Sequence, residues 1–139
     1  MNEPFRGAKL MLFAGRQLLV LRRDRIAEID WPGYLDFPGG LREPGETPEV
    51  CVLRETREEL GLALEPAGLT VAHRREGPKG IEWFFALHGP ARLAEAVVMG
   101  DEGESWLAMP PNDFVAAEDA IPHFRRILRD YLFGLGVAG

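Results

Sequence analysis

Gly40-Leu41-Arg42-Glu43-Pro44-Gly45-Glu46, continued eight residues beyond Glu46 by Arg54-Glu55-Thr56-Arg57-Glu58-Glu59-Leu60-Gly61-Leu62, crowds carboxylates where a helix would align them. With Pro48 to Leu60 as that helix and residues about 100° apart, Glu55, Glu58, Glu59 and Leu62 fall in one sector, since positions three and four apart share a face. Val50, Leu53, Thr56 and Leu60 are expected on the opposite side, as an apolar stripe to bury against a core. Carboxylates at this spacing repel each other by roughly a few tenths of a kcal/mol per pair, so something positive should offset them. Hard divalent cations such as Mg²⁺ take oxygen ligands and bridge carboxylates to substrate phosphates. The pattern therefore points to a diphosphate site.

Local signals support the helix independently. Thr47 is a good N-cap, Pro48 suits the first helical position, Glu49 lies in the first turn and Gly61 is a terminator. Before the helix, Phe37-Pro38-Gly39-Gly40 and Pro44-Gly45 read as a strand end and a glycine-rich loop, where missing side chains let backbone groups approach a ligand. A backbone oxygen there is a further candidate for the metal shell.

These residues resemble the Nudix hydrolases. That family's box runs Gly, five residues, Glu, seven residues, Arg-Glu, an aliphatic, any residue, Glu-Glu, any residue, Gly and an aliphatic; residues 40–62 match every fixed Gly, Glu and Arg. Thr56 departs from the aliphatic position, where its methyl can still pack. Leu35-Asp36-Phe37-Pro38-Gly39 before the box and Gly100-Asp101-Glu102-Gly103-Glu104 after it also look like the family. The resemblance implies an α/β fold, the Nudix α/β/α sandwich with a mixed β-sheet between helices, whereas pattern alone gives only mixed α and β. It implies that Glu55 and Glu59 bind Mg²⁺ or Mn²⁺, that Glu58 assists, and that the Gly39 carbonyl and Glu102 complete the shell. Arg54 would orient the carboxylates, and Glu46 would support loop and helix geometry. The implied reaction is hydrolysis at phosphorus, with Glu55 or Glu58, or else Glu102, accepting the water's proton. Arg23, Phe37 and Gly40 are the candidate substrate-binding residues.

Composition bounds the rest. A chain of 139 residues with 46% hydrophobic content fits one domain, residues 1–139, with a core of its own. Twenty-two Asp and Glu against 16 Lys and Arg argue against a polyanion-binding surface, so the expected partner is a small nucleoside diphosphate derivative rather than polymeric nucleic acid. A lone cysteine, Cys51, cannot form an intramolecular disulfide, and no apolar run near the N-terminus suits a signal peptide or membrane span; a reducing cytoplasm is expected, as monomer or homodimer. Ala8–Phe13 with Leu18–Arg22, and Leu69–Arg74 with Ile81–Leu87, read as two hairpins. Trp106–Met109 reads as a short strand and Ile121–Phe133 as a closing helix.

Two substrate readings compete. Cleavage of a nucleoside triphosphate to monophosphate and pyrophosphate, as in MutT-type members, is favoured by short length, by Arg22-Arg23 leaving the second strand and by the Glu102 loop. The guanine-reading Asn of that type is replaced by Pro110, with Asn112 nearby. ADP-ribose cleavage is favoured by Pro78, sixteen residues after the box, though an ordinary turn at Gly77-Pro78-Lys79-Gly80 explains it equally well. A third reading, from another class, is a non-hydrolytic nucleotide sensor; such modules lose box carboxylates, which are kept here. Trp31, Tyr34 and Phe37 are candidates to stack on a base or to anchor the core. Trp83 and Trp106 are expected in the core. The three histidines lack ligand spacing, and Arg125, Arg126 and Arg129 are expected on a solvated face.

Overall fold

The computed structural model describes residues 3–101, 103 and 105–135. Strand β1 (Gly7–Ala14) is the axis of the sheet. It runs parallel to β6 (Gly80–Gly89), while its first half pairs antiparallel with β4 (Gly39–Leu41) and its second half with β2 (Gln17–Arg22). Strands β3 (Leu35–Asp36) and β7 (Ser105–Met109) pair antiparallel with β2, and β5 (Thr70–Gly77) lies outermost beside β6. One parallel pair among antiparallel neighbours makes the sheet mixed.

Period-two alternation along β1 and β2 sorts their side chains onto two faces. Met11, Phe13, Leu18 and Val20 pack with Phe124, Leu128 and Leu132 of α3 (Pro122–Gly134) and with Phe114 of α2 (Pro111–Ala116). Leu10, Leu12, Leu19 and Leu21 pack instead with Cys51, Val52 and Leu60 of α1 (Pro48–Leu60). Helices thus cover both faces, giving the expected α/β/α sandwich. Both expected hairpins form, the second turning at Gly77 to Gly80. The short β3 and β4 punctuate the stretch between β2 and α1, most of which stays loop, and α2 is an addition to the two principal helices. Among the described residues no helix is long and apolar enough to cross a membrane.

Helix α1 keeps its expected bounds and caps. Thr47 Oγ1 accepts the Val50 N–H at 3.2 Å, and Gly61, at φ 69°, donates its N–H to the Arg57 carbonyl at 2.8 Å. Its dry face is rotated from the expected one: Pro48, Cys51, Val52, Thr56 and Leu60 are buried, whereas Val50 is 52% exposed. Val52 and Glu59, seven positions apart, lie within about 20° of each other around the axis. The acidic and dry faces therefore overlap rather than oppose, and Glu59 is pressed inward while Glu58 faces out. Leu62, grouped with the carboxylates by spacing, lies beyond the helix and is buried in the α1-side core. Thr56, at the aliphatic box position, is fully buried with a hydroxyl that has no hydrogen-bond partner.

Candidate active site

The pairing of β4 with β1 sets Gly39 opposite Lys9 and Gly40 opposite Ala8, bringing the Gly39-Gly40 backbone against α1. Gly39 takes φ 133°, a conformation open to glycine, and its N–H donates to Glu59 Oε1 at 2.8 Å. A Cβ on Gly40 would sit 2.5 Å from Glu55 Oε2, so any side chain there would push that carboxylate out of its present place. Burial strips water from Glu59 and pushes its pKa up to about 8, against the opposing pull of the Lys9 ammonium and the Gly39 N–H. Glu55 is also raised, again chiefly by burial, with Arg54 opposing.

Arg54 ties loop to helix. Its Nε and Nη2 donate to the two Glu46 carboxylate oxygens at 2.6 and 3.0 Å, and Nη2 also donates to the Leu41 carbonyl at 2.9 Å. Nη1 reaches Glu58 Oε1 at 3.1 Å and Glu55 Oε2 at 3.4 Å. This two-pronged bond is the geometry that suits a guanidinium and a carboxylate, and it holds the Glu46 carboxyl below its usual pKa. Glu58, 57% exposed, is the outermost of the three helix carboxylates.

Two hollows meet at these carboxylates. A recess of about 300 Å³ is lined by Glu55, Glu58, Glu59 and Asp101. A larger cleft of about 570 Å³ starts at Glu55 and Glu59 and continues past Lys9, Arg23 and Asp36 to an aromatic end at Trp31 and His123. On its floor, Lys9 Nζ donates to Asp36 Oδ2 at 3.1 Å and to the Phe37 and Gly39 carbonyls at 3.3 Å each. Arg23 Nη1 donates to the same Asp36 oxygen at 2.9 Å, leaving Asp36 Oδ1 buried without a partner.

A family model described as the NUDIX domain matches residues 4–131. The chain belongs to the Nudix family. It is 35% identical over 71 residues to a CTP pyrophosphohydrolase of Escherichia coli (strain K12), covering 51% of this chain and 53% of that protein. It is 41% identical over 64 residues to an 8-oxo-dGTP diphosphatase of Haemophilus influenzae (strain ATCC 51907 / DSM 11121 / KW20 / Rd), covering 45% and 47%. The match thus spans about half the length of these relatives. The fold is similar to the crystal structure of a MutT protein from Methanosarcina mazei Go1, with TM-score 0.76 and 19% identity over 97% of this chain and 98% of that one.

Within the candidate site, Gly40, Glu55 and Glu59 line one cleft with Arg23, and Arg54 reaches Glu55 at 3.4 Å. The Gly39 carbonyl, a candidate ligand, faces the Lys9 ammonium. Glu102 lies outside the described residues. Phe37 is a correction: it is fully buried, stacked on Phe114 and Phe124 with ring centroids 4.9 Å apart in each case, so it anchors the core and offers nothing to a substrate. Arg125 also departs from expectation, donating from Nε to the Val115 carbonyl at 2.8 Å. Neither Pro110 nor Asn112 lines the cleft, whereas Pro78 does. Cys51 is buried and its thiol pushed up to about 11, chiefly by that burial, as suits an inert core residue.

Sequence reasoning missed Lys9, Asp36 and Asp101. Lys9 had a signal, a single charge inside the apolar run Ala8 to Phe13. Asp36 and Asp101 stood inside stretches already singled out, but their place in the hollows depends on pairing between distant segments.

Proposed function

We propose that the chain is a single-domain, cytoplasmic, divalent-metal-dependent pyrophosphohydrolase that cleaves a (deoxy)nucleoside triphosphate to its monophosphate and pyrophosphate. The observation that carries this reading is the pair of half-sunk carboxylates, Glu55 and Glu59, at the junction of a recess and a nucleotide-sized cleft. Ionising both there is unfavourable without a cation. The donors are oxygens only, which suits Mg²⁺ or Mn²⁺. Among the described residues no three acidic, His or Cys side chains form a ready metal cage. Mg²⁺ does not require one, since it keeps several waters and uses one or two carboxylates together with phosphate oxygens.

Glu55 and Glu59 would hold the ion, with Glu58, the Gly39 carbonyl and Glu102 as further donors. When bound, the metal supplies neutralisation of phosphate charge and a more acidic water. Arg54 fixes the helix carboxylates against the Glu46 loop, and Gly40 leaves room for Glu55. Glu55 or Glu58, or else Glu102, takes the proton of the water that attacks phosphorus, as the bond to the departing phosphate oxygen breaks. Arg23 and Lys9 place positive charge on the cleft floor, toward the nucleotide's phosphates.

ADP-ribose cleavage is the second reading, favoured by Pro78 in the cleft wall. The test is a panel of nucleoside triphosphates, oxidised nucleotides, ADP-ribose and dinucleoside polyphosphates, assayed with Mg²⁺ and with chelator. Metal-dependent release of pyrophosphate from triphosphates supports the first reading, and turnover of ADP-ribose alone supports the second. Silence throughout, with tight binding of a panel member, would replace both with a sensor.

A further inference from the structure

At the end of the cleft away from the carboxylates, Trp31 is the described non-glycine residue with a positive φ, 52°. A bulky side chain in that region costs energy and persists where its surroundings over-determine it, commonly at a functional site. The surroundings here do so. Arg23 Nε donates to the Asp30 carbonyl at 2.7 Å, while Lys79, on the β5–β6 turn, reaches Asp30 Oδ2 at 3.2 Å. The Tyr34 N–H donates to the Trp31 carbonyl at 3.2 Å, and Gly33, at φ 75°, donates to the Asp24 carbonyl at 3.0 Å.

So held, Trp31 is 38% exposed and lines the cleft. Its ring neighbours are edge-on or tilted: Tyr34 at 5.1 Å and 62°, His123 at 6.5 Å and 55°. Among the described residues none lies parallel to it, in contrast to Phe37, whose ring is stacked against two phenylalanines. Strain, exposure and an indole without a parallel aromatic neighbour coincide at one wall of the cavity.

We infer that Trp31 is the stacking platform for the planar base of the nucleotide, and that Arg23, bonded at once to Asp36 on the floor and to the Asp30 carbonyl, is the positioning residue that fixes it. This rests on the cleft being the nucleotide site proposed above. Because one end of the cleft holds phosphate chemistry and the other an aromatic face, Trp31 acts on base affinity and leaves the chemical step alone.

The test compares Trp31→Leu, Trp31→Phe and Trp31→Gly with the wild type, by calorimetric titration with nucleoside monophosphates and with inorganic pyrophosphate, each in Mg²⁺, and by steady-state kinetics on the best panel substrate. Base–aromatic stacking predicts that Trp31→Leu and Trp31→Gly weaken monophosphate binding roughly 5- to 150-fold. Trp31→Phe should keep most of the affinity, pyrophosphate binding should not change, and KM should rise with kcat retained. Unchanged monophosphate affinity in Trp31→Leu would overturn the inference, as would equal losses for monophosphate and pyrophosphate. Binding is read without turnover, so an inactive wild type that still binds monophosphates through Trp31 would defeat the hydrolase reading alone.

Discussion

The two ends of the cleft are built differently. The carboxylate end comes almost wholly from one continuous stretch, Gly39 to Glu59, in which a strand, a loop and a helix fold back on each other. The aromatic end is assembled from three distant segments: the loop carrying Asp30 and Trp31, the turn at Gly77 to Gly80, and the start of α3 at His123. Local construction lets covalent spacing dictate geometry, so chemistry is written there as a motif. Assembly from afar lets the same fold hold different groups by changing loops. The carboxylate end should therefore control turnover and the aromatic end affinity.

The largest expected effect separates the ends directly. Glu59→Gln should cut turnover at least about a hundredfold, roughly 2.7 kcal/mol of activation free energy. Monophosphate affinity should stay near wild type, as calorimetry would show. Glu58→Gln, at an exposed and outward position, also falls in turnover but less steeply; equal losses would mean that burial does not rank these carboxylates.

Next in size is a pH slope in chelator-treated protein. The Glu59 pKa is raised on folding from 4.5 to about 8, so the folded state binds this proton more tightly than the unfolded state. Its contribution to stability is complete below pH 4.5 and is lost as pH rises through 8. Urea unfolding should show a loss of about 1–3 kcal/mol between pH 5 and pH 8 from this group. Glu59→Gln should flatten that slope, and Mg²⁺ should restore stability at pH 8, where the cation replaces the proton. A slope unchanged in the variant would break the link between burial and the carboxylate.

Arg54→Lys comes third. Lysine offers no planar fork for Glu46 and the Leu41 carbonyl, so unfolding free energy should fall by about 1–2 kcal/mol. Turnover should drop less than in Glu59→Gln, because Arg54 holds carboxylates in place without facing the cleft. The smallest effect is a gain. Thr56→Val removes a buried, unpartnered hydroxyl while keeping shape, and should stabilise the fold by about 1 kcal/mol with kinetics unchanged. A loss of activity there would give the odd box residue a role in the site.

What was legible in the sequence follows the same division. Helix α1, its caps, both hairpins and the gathering of Glu55 and Glu59 with the Gly39-Gly40 loop rest on interactions within a few dozen residues, and each is found in the structure. The rotation of the α1 dry face was not legible, because Val50 and Val52 are equally apolar and only the docked sheet decides which one is covered. Phe37 misled for a related reason. It precedes the glycine loop in sequence, yet strand alternation sends it into the α3-side core, while its neighbour Asp36 meets Lys9 and Arg23 on the cleft floor. Trp31 was readable only as an aromatic in a loop, since its strained backbone and its place on the cleft wall depend on partners as distant as Lys79 and His123.

The most direct test of the carboxylate end is to titrate Mn²⁺ into chelator-treated protein, following the free-ion signal by electron paramagnetic resonance while measuring nucleoside triphosphate hydrolysis in the same sample, for wild type and Glu59→Gln. Hydrolysis should rise in step with bound metal in the wild type, and the variant should bind Mn²⁺ at least about tenfold more weakly with little turnover. Hydrolysis that ignores chelator, or equal Mn²⁺ binding and equal turnover in both proteins, would contradict a metal-dependent hydrolase centred on Glu55 and Glu59.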